Sequence, residues 1–320
     1  MSLKTVSAAL KKYKSFLVTT HTSPDADALS SCLAMSLFLR GLGKRVQVVH
    51  AEDIPLWLKF LPHSGSIKKI KKGEKLDFEA AVVLDCGDLK RIGAVEECLN
   101  RSPHVLINID HHITNTLFGD ENWVAPRASS TAEMLYDLFC SLSSRVTRPM
   151  ALLLYTGIMT DTGSFRFDNT SAHTHAVSGE LMRFGIPVAA LYHRLYEGVP
   201  IALAKDFLRI LGKVQMSMGN RLAQAAFPEA AIQRFSRHFD LREKIFSFFR
   251  SFEGVEVVVI FTQLDSGKTR VNFRSQTTLN VAQLAKKFGG GGHVRASGCT
   301  LEESLPRARA KILTAIKGSL

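Results

Sequence analysis

Apolar runs alternate with helically spaced apolar positions through the first half of the chain. Phe16 to Thr20 is a short β-rich run. It is followed by Asp27 to Arg40, where Leu29, Leu33, Leu37 and Leu39 mark a buried helix and Gly41 and Gly43 mark its end. Val46 to Val49 predicts a second strand, and Ala80 to Leu84 and Val105 to Ile109 are continuous apolar runs of the kind found in a sheet covered on both faces. Ser130 and Glu133 have the spacing of a capping box ahead of Met134, Leu135 and Leu138. Pro149 is placed to open a helix through Ile158, and Ser171 to Phe184 predicts a further helix stopped by Gly185. Strand and helix in alternation are the pattern of a parallel sheet wrapped by helices.

Beyond Pro200 the texture changes. A helical stretch from Ala202 to Val214 leads to strands over Val255 to Phe261 and Thr269 to Phe273, then to a helix over Val281 to Phe288 closed by four glycines. The fold expected is therefore α/β, an N-terminal domain with a mainly parallel sheet plus a smaller C-terminal α/β domain. The boundaries expected are residues 1–195, a helical linker at 196–215, and 216–320. A chain of 320 residues is long enough for two cores.

Composition changes the picture in three respects. Hydrophobic residues at 46% exclude a disordered chain. Forty-one Lys and Arg against 29 Asp and Glu leave +12, a charge that draws in phosphate-bearing partners but also serves solubility. Five cysteines, at 32, 86, 98, 140 and 299, show no C-x-x-C spacing, which signals neither a disulfide framework nor structural zinc and fits a reducing cytoplasm. No run approaches the length of a membrane span, so no membrane partner is expected.

Chemistry-bearing residues gather where the predicted strands end: His21, Asp25 and Asp27 after the first, Asp85 after another, and Asp110, His111 and His112 after a third. In open α/β sheets that rim is where ligands bind. Asp161, near the end of a helical pattern, could reach the same rim. Singly, Asp25 or Asp27 is ordinary helix-capping chemistry, and Asp85, Asp110 or Asp161 an ordinary loop or cap carboxylate. Jointly, so many carboxylates need cations between them. Carboxylate with imidazole and no thiolate suits Mn²⁺, with Mg²⁺ the alternative, and two ions sharing a carboxylate and a water can aim that water at phosphorus. Cys86, beside Asp85, reads as a small buried residue.

Four segments, HTSPDADALSS, VVLDCGDLKRIG, NIDHHITN and GIMTDTGSFRF, resemble the ordered motifs of the DHH phosphoesterases. RVNFRSQ and KKFGGGGHVRASGC resemble the substrate-binding DHHA1 domain that accompanies one branch of that family, and taken together the segments most resemble the compact bacterial nanoRNases. That resemblance implies two Mn²⁺ ions, one held by His21, Asp25 and Asp85, the other by Asp27, Asp85, His111 and Asp161, with Asp85 bridging. It implies that His112 stands beside the scissile phosphate or leaving oxygen and that Asp110 orients the histidines. It makes Arg274, Ser275, Gly291, Gly292 and His293 a clamp for the far end of the substrate, and Asn115 and Arg91 further phosphate contacts. Without it, four glycines read as a flexible linker and Arg274 as a strand-surface charge.

The activity implied is hydrolysis of short oligoribonucleotides to mononucleotides, removal of phosphate from 3'-phosphoadenosine 5'-phosphate, or both. The expected partners are short RNA and small nucleotides, and a homodimer is compatible with this. A cyclic or linear dinucleotide phosphodiesterase is the alternative, and a non-catalytic RNA-binding protein a further one. A haloacid-dehalogenase-like phosphatase is disfavoured, because Asp25 does not follow its strand directly and position 29 is Leu.

Overall fold

In the computed structural model, which describes residues 2–71, 73–99, 104–276 and 278–318, the chain divides into two compact units, residues 1–191 and 192–320. Among the described residues the first unit holds six strands: β1 (Ser15–Thr20), β2 (Arg45–His50), β3 (Ile67–Lys69), β4 (Ala80–Leu84), β5 (Val105–Asp110) and β6 (Glu121–Val124). Its helices are α1 (Leu3–Lys12), α2 (Ala26–Gly41), α3 (Glu96–Leu99), α4 (Thr131–Ser141), α5 (Arg148–Asp161) and α6 (Ala172–Met182), and the boundary falls within α7 (Val188–Tyr196).

The sheet runs β3-β2-β1-β4-β5-β6 with every pairing parallel. Strand order reverses between β1 and β4, so the connections leaving these two strands diverge and open a crevice beyond their carboxyl ends. Alternation of side chains along each strand feeds two layers. Leu17, Ala81, Val83 and Leu106 share one buried cluster with Ile92 and Val95 of a 3-10 turn (Leu89–Val95) and Cys98 and Leu99 of α3. The opposite face carries α2, buried along nearly its whole length between the sheet and α4 and α5. That accounts for apolar or small residues all around it, and Phe38 of α2 stacks on Phe139 of α4 with ring centroids 4.3 Å apart.

The second unit begins with α8 (Ile201–Leu211), β7 (Gln215–Ser217), β8 (Leu222–Pro228), α9 (Glu229–Phe235) and α10 (Leu241–Phe249). It continues with β9 (Val257–Gln263), β10 (Thr269–Ser275), α11 (Val281–Lys286), β11 (Gly291–Gly292), β12 (Ala296–Leu301) and α12 (Leu305–Lys317). Its sheet, β11-β12-β10-β9-β8-β7, is antiparallel except for the β8–β9 pair. Val257, Val259 and Phe261 of β9 pack with Leu284 of α11 and Ile312 and Ile316 of α12. Val258 and Ile260 face the other way, onto Phe235 and Phe246. The stretch expected as a linker, 196–215, is part of this second layer: Ile210 and Leu211 lie in its core, with Leu203 and Phe207 packed against it. Among the described residues no helix is long and apolar enough to cross a membrane.

Candidate metal centre

The residues at the strand ends converge. Asp85 follows β4 with a left-handed backbone, φ 52°, a conformation that costs a non-glycine residue about 1–3 kcal/mol and is held by its N–H donating to the Ile109 carbonyl at 3.0 Å. Its Oδ2 lies 3.6 Å from His21 Nε2, and its Oδ1 lies 3.4 Å from His111 Nε2. Ligand atoms of His21, Asp25 and Asp85 lie within 4.8 Å of one another, and so do those of Asp27, Asp85 and His111. Asp161, the last residue of α5, brings its Oδ2 to 3.2 Å from His111 Nε2. These two donor groups share one carboxylate, and Asp85 also lies within a third, with Asp110 and His112.

Each of these side chains is aimed by a neighbour. His21 Nδ1 donates to the Thr22 carbonyl at 2.9 Å and His111 Nδ1 to the Ala128 carbonyl at 3.2 Å, which leaves both Nε2 lone pairs facing the carboxylates. Behind His21, the Glu52 N–H donates to His50 Nδ1, so the His50 proton sits on Nε2 and is given to the His21 carbonyl at 3.0 Å. Asp25 caps α2 by accepting from the Ala28 N–H at 3.0 Å and still belongs to the first donor group. Asp27 accepts from the backbone N–H groups of Thr131 and Ala132 at 2.8 and 3.1 Å, the first turn of α4.

Facing imidazoles and carboxylates must be separated by protons or by cations, and without cations several of these groups hold their protons more tightly. Burial raises Asp27 well above the ordinary carboxylate range, reinforced by the charges of Asp85 and Asp161. Burial and the same kind of repulsion push Asp161 up to about 7. Burial would also raise Asp85, but the imidazoles of His111, His21 and His112 facing it hold it well below its usual value. His111 is raised despite burial, chiefly by Asp161 and Asp85. Asp161 Oδ2 is buried and makes no hydrogen bond. Oxygen and imidazole donors around such a gap fit divalent cations of the Mn²⁺ or Mg²⁺ kind. Thiolate plays no part: burial pushes Cys86 up to about 12 and Cys32 also upward, so both stay protonated.

Beside this gap runs a second chain of contacts. Asn115 Nδ2 donates to Asp110 Oδ2 at 2.6 Å and to Asn108 Oδ1 at 2.8 Å, and Asp110 Oδ1 meets His112 Nδ1 at 2.7 Å. Burial opposes charge on both partners, but each holds the other ionised, with Asp110 lowered and His112 raised. The Asn115 amide is thereby engaged with Asp110. Arg91 lies at the same rim, its carbonyl accepting from the Thr22 N–H at 2.7 Å and its charge acting on Cys86.

The family model described as "DHH family, N-terminal domain" matches residues 15–158, and the "DHHA1 domain" model matches residues 221–318. A "bifunctional oligoribonuclease and PAP phosphatase NrnA" of Thermus thermophilus is 34% identical over 95% of this chain and 89% of its own. The chain belongs to the DHH family. A relative of the same description from Bacillus subtilis is 27% identical over 90% of each chain. An exopolyphosphatase-related protein of Bacteroides fragilis shares the fold, with a TM-score of 0.85 at 24% identity over 99% of this chain and 95% of that one.

The DHHA1 residues singled out from the sequence lie in the second unit. Arg274 of β10 is ion-paired with Glu243 of α10, donates to the Phe273 carbonyl at 3.1 Å, and sits 4.7 Å from the Phe246 ring centroid. Ser275 is buried at the end of β10, and its N–H donates to the Arg295 carbonyl at 2.9 Å. The glycine run has a structural employment in this DHH protein: Gly291 and Gly292 pair with Gly298 and Ser297 of β12. A Cβ at Gly290 would lie 2.2 Å from the Gly298 oxygen, and one at Gly292 2.6 Å from the Ala296 oxygen. His293 turns the chain there, its N–H donating to the Ala296 carbonyl at 2.7 Å.

Sequence reasoning missed several residues that build the DHH site. Thr131 and Ser129 were not singled out, and Glu133 was legible only as half of a capping box with Ser130. Gly157, on α5, carries no local signal, yet a Cβ there would lie 2.3 Å from Asp27 Oδ1 and 2.6 Å from the Ala132 Cβ.

Proposed function

We propose that this DHH-family phosphoric ester hydrolase acts on short oligoribonucleotides and on 3'-phosphoadenosine 5'-phosphate, with two divalent cations, Mn²⁺ in first place. The observation that carries the reading is Asp85, whose two carboxylate oxygens face two different histidines at 3.6 and 3.4 Å, so that it joins the donor group of His21 and Asp25 to that of Asp27 and His111. His21, Asp25 and Asp85 would hold one ion, and Asp27, Asp85, His111 and Asp161 the other. Such a pair supplies, when bound, an activated water and positive charge against the phosphoryl oxygens.

The chain's own residues do the rest. Asp110, fixed by Asn115, keeps a proton on His112 and leaves His112 Nε2 to deliver one to the departing oxygen. Arg91 adds positive charge at the rim. Arg274, stacked on Phe246 and ion-paired with Glu243, would turn its guanidinium fork to a phosphate that replaces that carboxylate, and Ser275, Gly291, Gly292 and His293 would complete the clamp for the far end of the substrate. Substrate choice rests on likeness to the bifunctional relatives of Thermus thermophilus and Bacillus subtilis.

The test is to incubate the protein and Mn²⁺ with RNAs of two to five residues, 3'-phosphoadenosine 5'-phosphate and cyclic di-AMP, and to identify the products. Mononucleotides and adenosine 5'-phosphate are expected. A linear dinucleotide as the sole product would replace this reading with a cyclic dinucleotide phosphodiesterase, and binding without turnover would replace it with an RNA-binding protein. Asp85→Ala should lower kcat/KM by at least about a hundredfold, since even partners of a metal ligand cost about ten- to a hundredfold. Near-normal turnover by that variant would overturn the two-cation reading.

A further inference from the structure

Residues 128–133, Ala-Ser-Ser-Thr-Ala-Glu, supply no metal ligand, yet they touch three of the residues that would. The Ala128 carbonyl accepts from His111 Nδ1 at 3.2 Å. Thr131 Oγ1 donates to Asp85 Oδ1 at 3.0 Å, and the Thr131 and Ala132 N–H groups donate one to each oxygen of Asp27. Asp85 comes from β4, Asp27 from α2 and His111 from the end of β5, so one stretch of six residues ties together ligands from three elements.

The stretch is itself pinned from behind. Ser129 Oγ donates to Glu133 Oε2 at 2.6 Å, the Ser129 N–H to Glu133 Oε1 at 3.3 Å, and Thr174 Oγ1 of α6 to Glu133 Oε2 at 2.7 Å. Asn169 Nδ2 donates both to the Ser129 carbonyl at 2.8 Å and to the Asp161 carbonyl at 3.1 Å, which joins the fourth ligand's backbone to the same assembly. Ser129, Ser130 and Thr131 are fully buried. Glu133 therefore serves as the anchor of the strap and not as the second half of a capping box, although Ser130 does cap α4 by accepting from the Glu133 N–H at 3.0 Å.

We propose that Thr131 is a positioning residue for the shared carboxylate, and that the strap 128–133, anchored by Glu133, sets the relation between the two cation sites. The inference rests on the two-cation reading above. Asp85 sits on a left-handed backbone and must present its two oxygens in opposite directions, so rotation of its carboxylate would misplace both sites together. A carboxylate oxygen has two lone pairs and can accept from the Thr131 hydroxyl while facing a cation. Thr131, branched at Cβ and buried, holds its hydroxyl with little rotational freedom.

The test compares Thr131→Val, which keeps the shape and loses the hydroxyl, with Thr131→Ser, which keeps the hydroxyl, by calorimetric Mn²⁺ titration and by the exchange-coupled signal of a Mn²⁺ pair in electron paramagnetic resonance. Thr131→Val should bind Mn²⁺ about ten- to a hundredfold more weakly and lose the coupled signal, as expected for a hydrogen-bonding partner of a ligand. Thr131→Ser should restore most of both. Equal affinity and coupling in wild type and Thr131→Val, or a Thr131→Ser variant as impaired as Thr131→Val, would overturn the proposal.

If Thr131→Val does not fold by circular dichroism, Glu133→Gln carries the test, because Glu133 touches none of the proposed ligands. A lower melting temperature with unchanged Mn²⁺ affinity there would reduce the strap to a packing element and overturn the proposal. Weakened Mn²⁺ binding would support it. A wild-type protein that bound no Mn²⁺ pair would instead remove the two-cation reading itself.

Discussion

At the scale of single residues, the site is built as much by what is small as by what is charged. Gly157 leaves the room that Asp27 and Ala132 occupy, because a methyl group there would meet atoms 2.3 and 2.6 Å away. Alanine would gain about 0.5–1 kcal/mol over glycine in the interior of a helix. Overpacking a close-packed core costs about 1–3 kcal/mol, and here the obstruction includes the first turn of α4 as well as a carboxylate already held by two N–H groups. Overpacking therefore wins: Gly157→Ala should lower the melting temperature and weaken Mn²⁺ binding, measured by thermal unfolding and metal titration. His21, Asp25, Asp27, Asp85, His111 and Asp161 were legible as candidates because carboxylate and imidazole are conspicuous chemistry at strand ends. Gly157 and Thr131 were not, since the reason for each lies in a residue about a hundred or more positions away, or 46 in the case of the Thr131 hydroxyl.

At the scale of elements, the strongest strands and helices were legible from pattern. The apolar run Ala80 to Leu84 is β4 to the residue, and Val105 to Ile109 is β5 less its final aspartate. Short edge strands such as β3 and β6 escaped, because three or four residues carry too little periodicity. In the second unit, β11 exists because glycine lets its backbone close on β12. Gly290→Ala should disturb that pairing and lower the melting temperature, while leaving Mn²⁺ binding by residues 1–191 unchanged; thermal unfolding beside metal stoichiometry checks both halves of the expectation. Arg274, on β10, should behave differently. Arg274→Ala removes a charge-assisted contact worth about 1.5–3 kcal/mol, roughly ten- to a hundredfold, so kcat/KM for a dinucleotide should fall by that factor with Mn²⁺ content intact. A small activated phosphodiester with no distal group should be affected much less, and equal losses on both substrates would argue against the assignment.

At the scale of the whole molecule, the buried charges make stability depend on pH and metal together. Asp27 and Asp161 hold protons to higher pH folded than unfolded, and so do His111 and His112. Their contribution is full below the unfolded values, near 3.8 for the carboxylates and 6.5 for the histidines, and is lost as pH rises through the folded ones. Asp85 and Asp110 act in the opposite sense, but only as pH falls below the ordinary carboxylate range. The metal-free protein should therefore melt at lower temperature at about pH 8 than at about pH 6. Mn²⁺, which requires the deprotonated ligands, should raise the melting temperature more at the higher pH. Thermal unfolding with chelator and with Mn²⁺ at both pH values checks the pair of expectations, and a metal-free melting temperature that rises with pH would contradict them.

The sequence by itself determined the α/β class, the places where strands end and the kinds of donor found there, because hydrophobic period and chemical type are local properties of a chain. Only the tertiary structure decided that strand order reverses between β1 and β4, that the stretch 196–215 joins a core, and that Asp85 stands between two histidines with Thr131 holding it. Those are relations between distant segments, and they come into being when packing closes the crevice around charges that no single segment could keep buried alone.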